Sequence, residues 1–345
     1  MGEHRIVGSG RLLDESGRLR EPGWATRPPF EYRRDDIAAP IWRIKDWDYY
    51  LVNDDEVAIA LTFGDLGYLG IVSASVVNFA EHSYKTTTET VPVPLGTMGL
   101  PADSRSGDIV WENRRCRVSW RHVPGGRRLS FFMSGFDGDD ELDVELLLDE
   151  EPRDSMVICT PWQDDPTAFY YNRKIVGMRA RGGFRRGAAF HEFSPESSFG
   201  LLDWGRGVWT YDNTWYWAAA QGRQAGHVIG LNLGYGFGDT TAASENMIFV
   251  DGIAHKLGRV DFGIPGEPGH YRYLETWHMT DDAGRLDLTF KPLLDRRDDT
   301  DIAGVLVSIQ HQVFGTLDGT LVLDDGTALT IGGLRGAAEH IHNKY

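Results

Sequence analysis

Helical periodicity is scarce along this chain, and that scarcity constrains the fold more than any other feature. No segment of three turns or more carries an apolar stripe at i, i+3, i+4 and i+7 between proper caps. Gly333–His342 is the best helix candidate, and it is short. Strand signals recur instead. Asp48–Leu51 and Val57–Phe63 flank the turn Asn53-Asp54-Asp55, Tyr68–Phe79 follows, and Ile109–Trp111, Cys116–Arg121 and Arg128–Met133 read as a meander. Leu142, Val144, Leu146 and Leu148 alternate with Asp143 and Glu145, as one buried strand face requires. The polar segment Pro161-Trp162-Gln163-Asp164-Asp165-Pro166 then breaks the pattern. It restarts with Ile175–Arg181 and runs on through Trp215–Gln221, His227–Tyr235, Arg272–Met279 and Val305–Thr316. The 41 glycines, with 16 Phe, 13 Tyr and 11 Trp, suit short strands, tight turns and curved sheets. The expected fold is all-β, with little helix: two consecutive antiparallel β-barrels over residues 1–160 and 161–345, the first wrapped by residues 1–40.

The formal charge of −16 and the lack of any Lys/Arg run argue against nucleic acid as a partner and disfavour anionic membrane surfaces. No apolar run reaches the length of a membrane span. The opening Met1-Gly2-Glu3-His4-Arg5-Ile6 leads into no signal-peptide core and has Ile6 where N-myristoylation wants Ser or Thr. The only cysteines are Cys116 and Cys159, outside any cluster. A cytoplasmic protein with two buried thiols is the economical reading, and a disulfide is the unsupported alternative. A small-molecule ligand is the expected partner, with a homodimer left open.

Chemistry-bearing residues concentrate in Leu202–Trp217, where four tryptophans stand with two Asp, one Arg and one Asn. Alternation puts Trp215 and Trp217 on one strand face, and the following strand reads Gly230-Leu231-Asn232-Leu233-Gly234. Indoles lying over glycines, with Asn232 among them, would either cover weak strands or wall a pocket with a few polar groups. Asp203 and Asp212 are the candidate catalytic carboxylates, because a carboxylic acid packed against indoles loses solvation and becomes a general acid near neutral pH. A salt bridge from Arg206 is the structural alternative, more so for Asp203 than for Asp212. Trp204, Arg206, Trp209, Trp215, Trp217, Asn232, Glu245 and Asn246 are the candidate ligand-binding residues, Glu245 carrying the weakest signal.

Gly234-Tyr235-Gly236-Phe237-Gly238-Asp239 fails the dinucleotide fingerprint, and no phosphate-binding loop or nucleophile elbow occurs. No metal site is expected. His311 shares a face with Val307, Ile309 and Val313 and reads as a core histidine, and His340-x-His342 reads as surface. Which face of that strand meets a lumen, the one with His311 or the one with Ser308, Gln310 and Gln312, stays open at this level.

The passages Phe199–Trp209, Trp215-Tyr216-Trp217, Gly230–Phe237 and Glu245-Asn246-x-x-Phe249-x-Asp251-Gly252-x-x-His255-Lys256-Leu257, with Ile44-Lys45-x-Trp47-Asp48-Tyr49-Tyr50, resemble a bacterial family known as domain of unknown function 2804. More distantly, Asp203-Trp204-Gly205 followed by a Trp-x-Trp strand is similar to the central motif of two-domain lipocalin-like proteins, the group of carotenoid hydratases, tocopherol cyclase and decalin-forming cyclases. Two departures stand out: Trp204 occupies the place of the histidine usual in that group, and the Gly-x-Trp opening is absent. The resemblance implies two lipocalin-like barrels, an apolar or amphipathic ligand and cofactor-free hydratase or cyclase chemistry. The alternatives are a carbohydrate-active protein, since Trp with Asp, Asn and Arg also holds sugars, and a non-catalytic carrier or scaffold.

Overall fold

The computed structural model of the protein describes residues 3–149, 151–302, 304 and 306–344. Met1 and Gly2, and Val305 at the start of one expected strand, lie outside the described residues. Two large antiparallel sheets carry most of the chain, one after the other. The first has the order Ser83–Pro92, Leu69–Asn78, Val57–Asp65, Ile44–Asn53, Phe199–Val208, Phe169–Arg186, Asp140–Asp149, Gly126–Asp137, Cys116–Val123 and Ile109–Glu112. The second runs Ile253–Lys256, Met247–Val250, His227–Tyr235, Asp212–Gln224, Ala328–Lys344, Leu306–Val322, Leu286–Ile302, Trp277–Asp281 and Val260–Asp261. No α-helix occurs among the described residues. The all-β expectation of two consecutive curled antiparallel sheets therefore holds.

The chain passes from one sheet to the other between Val208 and Asp212, well after the Pro161–Pro166 break. That break is only a loop: Met156–Pro161 pairs with Phe169–Arg186 on its far side. Phe169–Arg186 and Phe199–Val208 complete the first sheet because Phe199–Val208 docks along Ile44–Asn53, a pairing between segments about 150 residues apart that local pattern cannot reveal. The helix expected over Gly333–His342 is instead part of the strand Ala328–Lys344, whose two neighbours satisfy its backbone on both edges. Of the expected strand Arg272–Met279 only the part from Trp277 is a strand. The amino-terminal arm pairs Gly23–Ala25 with Met156–Pro161 and also reaches the second sheet, where Glu3 pairs with Lys256 at 2.6 Å.

Alternation decides what each sheet buries. In the first, Phe63, Val118, Leu129, Phe131, Val144, Leu146 and Leu148 fill one concave core. In the second, Leu231, Ile248, Trp277, Leu288, Phe290 and Leu317 do the same. Each large side chain removed from water contributes about 1.5–3 kcal/mol. The convex faces meet through Leu51, Ala58, Ala60, Leu201, Ala219, Phe314 and Ala337, where alanines let the sheets approach closely. Gln221 ties them, donating to the Phe199 carbonyl at 2.9 Å and accepting from Gly177 N–H at 2.9 Å. Cys116 and Cys159 are both buried and both free.

Candidate functional site

Beyond the alanine contact the two sheets diverge and enclose a cavity of about 430 Å³. Odd-numbered residues of Ile44–Asn53 (Lys45, Trp47, Tyr49) face it, while Asp46, Asp48 and Tyr50 face the first core. Asp203 comes from Phe199–Val208, Trp215 and Trp217 from Asp212–Gln224, and Glu339 from Ala328–Lys344, with Trp209 and Phe237 closing the aromatic side. The rings are packed edge to face and stacked: Trp47–Trp209 and Trp209–Trp215 each have centroids 5.1 Å apart, and Trp215–Phe237 5.4 Å. The opposite wall is polar, with Ser73, Thr86, Thr88, Ser308, Gln310 and Arg296. The Ser308/Gln310 face thus lines the space between the sheets, and His311 turns the other way.

Beneath the indoles lies a buried charge cluster. Lys174 Nζ is 3.2 Å from Asp203 Oδ2 and 3.2 Å from Glu245 Oε2, and sits 4.3 Å over the Trp217 ring. Asp203 Oδ1 also accepts from Asn172 Nδ2 at 2.6 Å and Trp47 Nε1 at 3.2 Å. Asn232 bridges the cluster to the wall, accepting from Trp217 Nε1 at 2.9 Å and donating to the Glu245 carbonyl at 2.7 Å. Burial pushes the Glu245 carboxyl up despite the lysine, and its Oε1 has no hydrogen-bond partner. Gly234 makes room for that group, since a Cβ there would stand 2.2 Å from Glu245 Oε1. The other close glycine is Gly205, which the Trp47 ring crosses so tightly that a Cβ would meet it at 2.0 Å. Indoles do lie over a glycine, but over Gly205 rather than over Gly230 and Gly234.

Glu339 is the second acid of the site. It lines the cavity, accepts from Gln312 Nε2, and has its carboxyl pushed up to about 7, burial outweighing Arg296 and the Gln312 hydrogen bond. At the other end burial and the Arg43 charge hold Lys45 down to about 7, with Nζ donating to the Leu66 carbonyl at 2.6 Å.

Of the residues singled out from sequence, Asp203, Trp209, Trp215 and Trp217 line this cavity, and Asn232 and Glu245 lie directly behind it. Trp204 and Arg206 do not. They occupy the other face of Phe199–Val208, where Arg206 is sealed in the first core, hydrogen-bonding Asp48 at 3.0 Å and the Pro101 carbonyl at 2.7 Å beneath the Trp204 ring. Arg206 therefore pairs with Asp48 and not with Asp203, three residues on a strand putting them on opposite faces. Asp212 is no buried acid among indoles: its side chain is 53 % exposed and pairs with Lys344 at 3.1 Å. Asn246 fastens a loop, accepting from Gly234 N–H at 2.7 Å and donating to the Gly258 carbonyl at 2.8 Å. Sequence reasoning missed Lys174 and Glu339. The alternation Tyr170-x-Asn172-x-Lys174 carried a signal for the first, but the helical reading of Gly333–His342 hid the second.

With this geometry in place, comparison with known proteins adds a family. The model described as Domain of unknown function (DUF2804) matches residues 3–345. The chain belongs to that family. Among curated proteins none matches by sequence. Solved structures do match in fold. A Nitrosomonas europaea protein assigned as AttH is 12 % identical, with 91 % of this chain and 96 % of that one covered at a TM-score of 0.54. Kievitone hydratase from Nectria haematococca (8 % identical, covering 87 % and 88 %, TM-score 0.47) and CghA (11 %, 87 % and 88 %, 0.44) also match. Identities this low establish the shared two-barrel, lipocalin-like fold alone. No helix among the described residues is long and apolar enough to cross a membrane.

Proposed function

We propose that this DUF2804 protein binds an apolar or amphipathic small molecule, of the isoprenoid, polyene or lipid type, between its two sheets and carries out cofactor-free acid–base chemistry on it, as a hydratase or cyclase. The observation that carries this reading is a carboxyl poised near neutral pH, Glu339, on the wall of a cavity beside its cross-strand neighbour Trp217 and the indoles that continue from it. In the proposed step the Glu339 proton passes to an alkene carbon or carbonyl oxygen of the ligand. The resulting cation faces the rings of Trp209, Trp215 and Trp217. Water or an internal double bond then adds to the cation, and the proton released returns to the Glu339 carboxylate. Asp203, held by Lys174, Asn172 and Trp47, positions the polar end of the ligand.

A thermal-shift panel setting long-chain isoprenoids and fatty acids against oligosaccharides tests the binding. A ligand at 100 times its Kd adds about 2.7 kcal/mol, a shift of several degrees for a chain of this size. Stabilisation by the apolar set, cancelled in Trp217→Ala, is expected. Stabilisation by oligosaccharides alone would replace this reading with the carbohydrate-active one, and silence from both sets would leave a carrier or scaffold. Once a ligand is in hand, Glu339→Gln is expected to keep binding and abolish turnover.

A further inference from the structure

The second sheet has another occupied-looking face. On the side away from the inter-sheet cavity, Tyr216 pairs in register with His340 and His340 with His311, so the three rings stand side by side on adjacent strands. Together with Tyr271 and Tyr273 from the loop before Trp277, they line a cleft of about 1,020 Å³. The loop is anchored there by Trp277 Nε1 donating to the Tyr273 carbonyl at 3.0 Å. The rings form layers: Tyr273 stacks on His311 at 3.8 Å, Tyr216 on His340 at 4.5 Å, and Tyr271 meets His340 edge-on at 5.2 Å.

Each imidazole is fixed from behind through Nδ1. His311 Nδ1–H donates to Asp295 Oδ2 at 2.6 Å, which leaves Nε2 of His311 as a hydrogen-bond acceptor. The Tyr273 hydroxyl and His340 Nδ1 share a hydrogen bond of 2.6 Å that either can donate, the roles following the His340 tautomer. Burial holds the His340 imidazole down to about 4. Neither Nε2 is a sealed, unpartnered atom, although Asp295 Oδ1 behind them is. The charged residues of the wall, Arg272 and Arg297 against Glu275 and Asp295, cancel. Aromatic layers, no net charge and one imidazole acceptor describe the complement of a flat, uncharged ring with a hydroxyl to donate.

We propose that this cleft is a second ligand site, separate from the inter-sheet cavity, which takes a neutral planar aromatic molecule of the phenol class and accepts a hydrogen bond from its hydroxyl at Nε2 of His311. That hydrogen bond is strengthened by the Asp295 carboxylate behind the imidazole. The ring lies against the tyrosine and histidine faces.

The test uses the full chain at neutral pH and two probes of nearly equal shape, para-cresol and para-methylanisole, with affinities from equilibrium dialysis. Only the first has a proton to give. The wild type is expected to prefer the phenol by about tenfold, the size of one hydrogen bond to a charge-assisted acceptor. His311→Phe, which keeps a ring in place, is expected to bring the two affinities together. Asp295→Asn is expected to narrow the preference and serves if His311→Phe fails to fold. The preference is expected to survive Trp217→Ala, which alters the other cavity. Failure of the phenol to bind, equal binding of both by the wild type, a preference untouched by His311→Phe or Asp295→Asn, or its loss in Trp217→Ala would each overturn the proposal.

Discussion

Two buried charge clusters flank the strand Phe199–Val208, and they differ in kind. On one face the fully buried Arg206 makes four hydrogen bonds, to Asp48 and to the carbonyls of Trp47, Gly205 and Pro101, its Nε alone lacking one. On the other, Lys174 is shared between Asp203, which borders a cavity, and Glu245, whose second oxygen has no partner. A sealed network of fixed donors specifies a fold. One that borders open space leaves hydrogen-bonding capacity for something else. The motif containing Asp203 and Arg206 thus faces two ways, Arg206 into the sealed core and Asp203 onto the cavity.

The comparison can be broken first at Arg206. Arg206→Ala strands Asp48 in the core, Asp46 keeping Arg34 and Tyr32, and is expected to cost about 3–5 kcal/mol in denaturant unfolding. A loss below 1 kcal/mol would mean that face is not sealed. Lys174→Met is expected to cost less, roughly 2–3 kcal/mol, because Asp203 keeps two other donors and can take water from the cavity. Glu339 sharpens the contrast through pH. Its carboxyl binds a proton more tightly folded than at the ordinary value of 4.5, so the folded state holds the extra proton and stability falls as pH rises from about 4.5 through about 7. Glu339→Gln should flatten that decline, by about 2 kcal/mol, in thermal melts across the window. Gly234→Ala pushes a methyl onto Glu245 and is expected to cost roughly 1–2 kcal/mol. Asp212→Asn, on an exposed pair, should move stability by no more than about 0.5 kcal/mol and leave ligand binding between the sheets intact.

Much of this was legible from alternation alone. The faces of Leu142–Leu148 and the shared side of Trp215 and Trp217 follow from a period of two, and the absence of helix followed from the lack of any other period. What was not legible is which strands lie side by side. Lys174, Asp203, Glu245 and Glu339 converge from four strands or loops spread over 165 positions, and nothing local announces that Phe199–Val208 will lie against Ile44–Asn53. The Arg206 assignment shows the limit well: an Asp and an Arg three apart look like partners in sequence, and a strand sends them to opposite sides. His311 was rightly read as facing Val313. The cleft it helps to line, with His340 and His342, needed the third dimension.

The second sheet is a partition one peptide thick. Along Ala328–Lys344, Glu339, Ile341 and Asn343 belong to one chamber while His340 and His342 belong to the other, and Trp217 and Tyr216 divide in the same way. Inserting a single residue ahead of Glu339 would deliver the acid to the histidines and an imidazole to the tryptophans, emptying both chambers of their chemistry without removing one functional group.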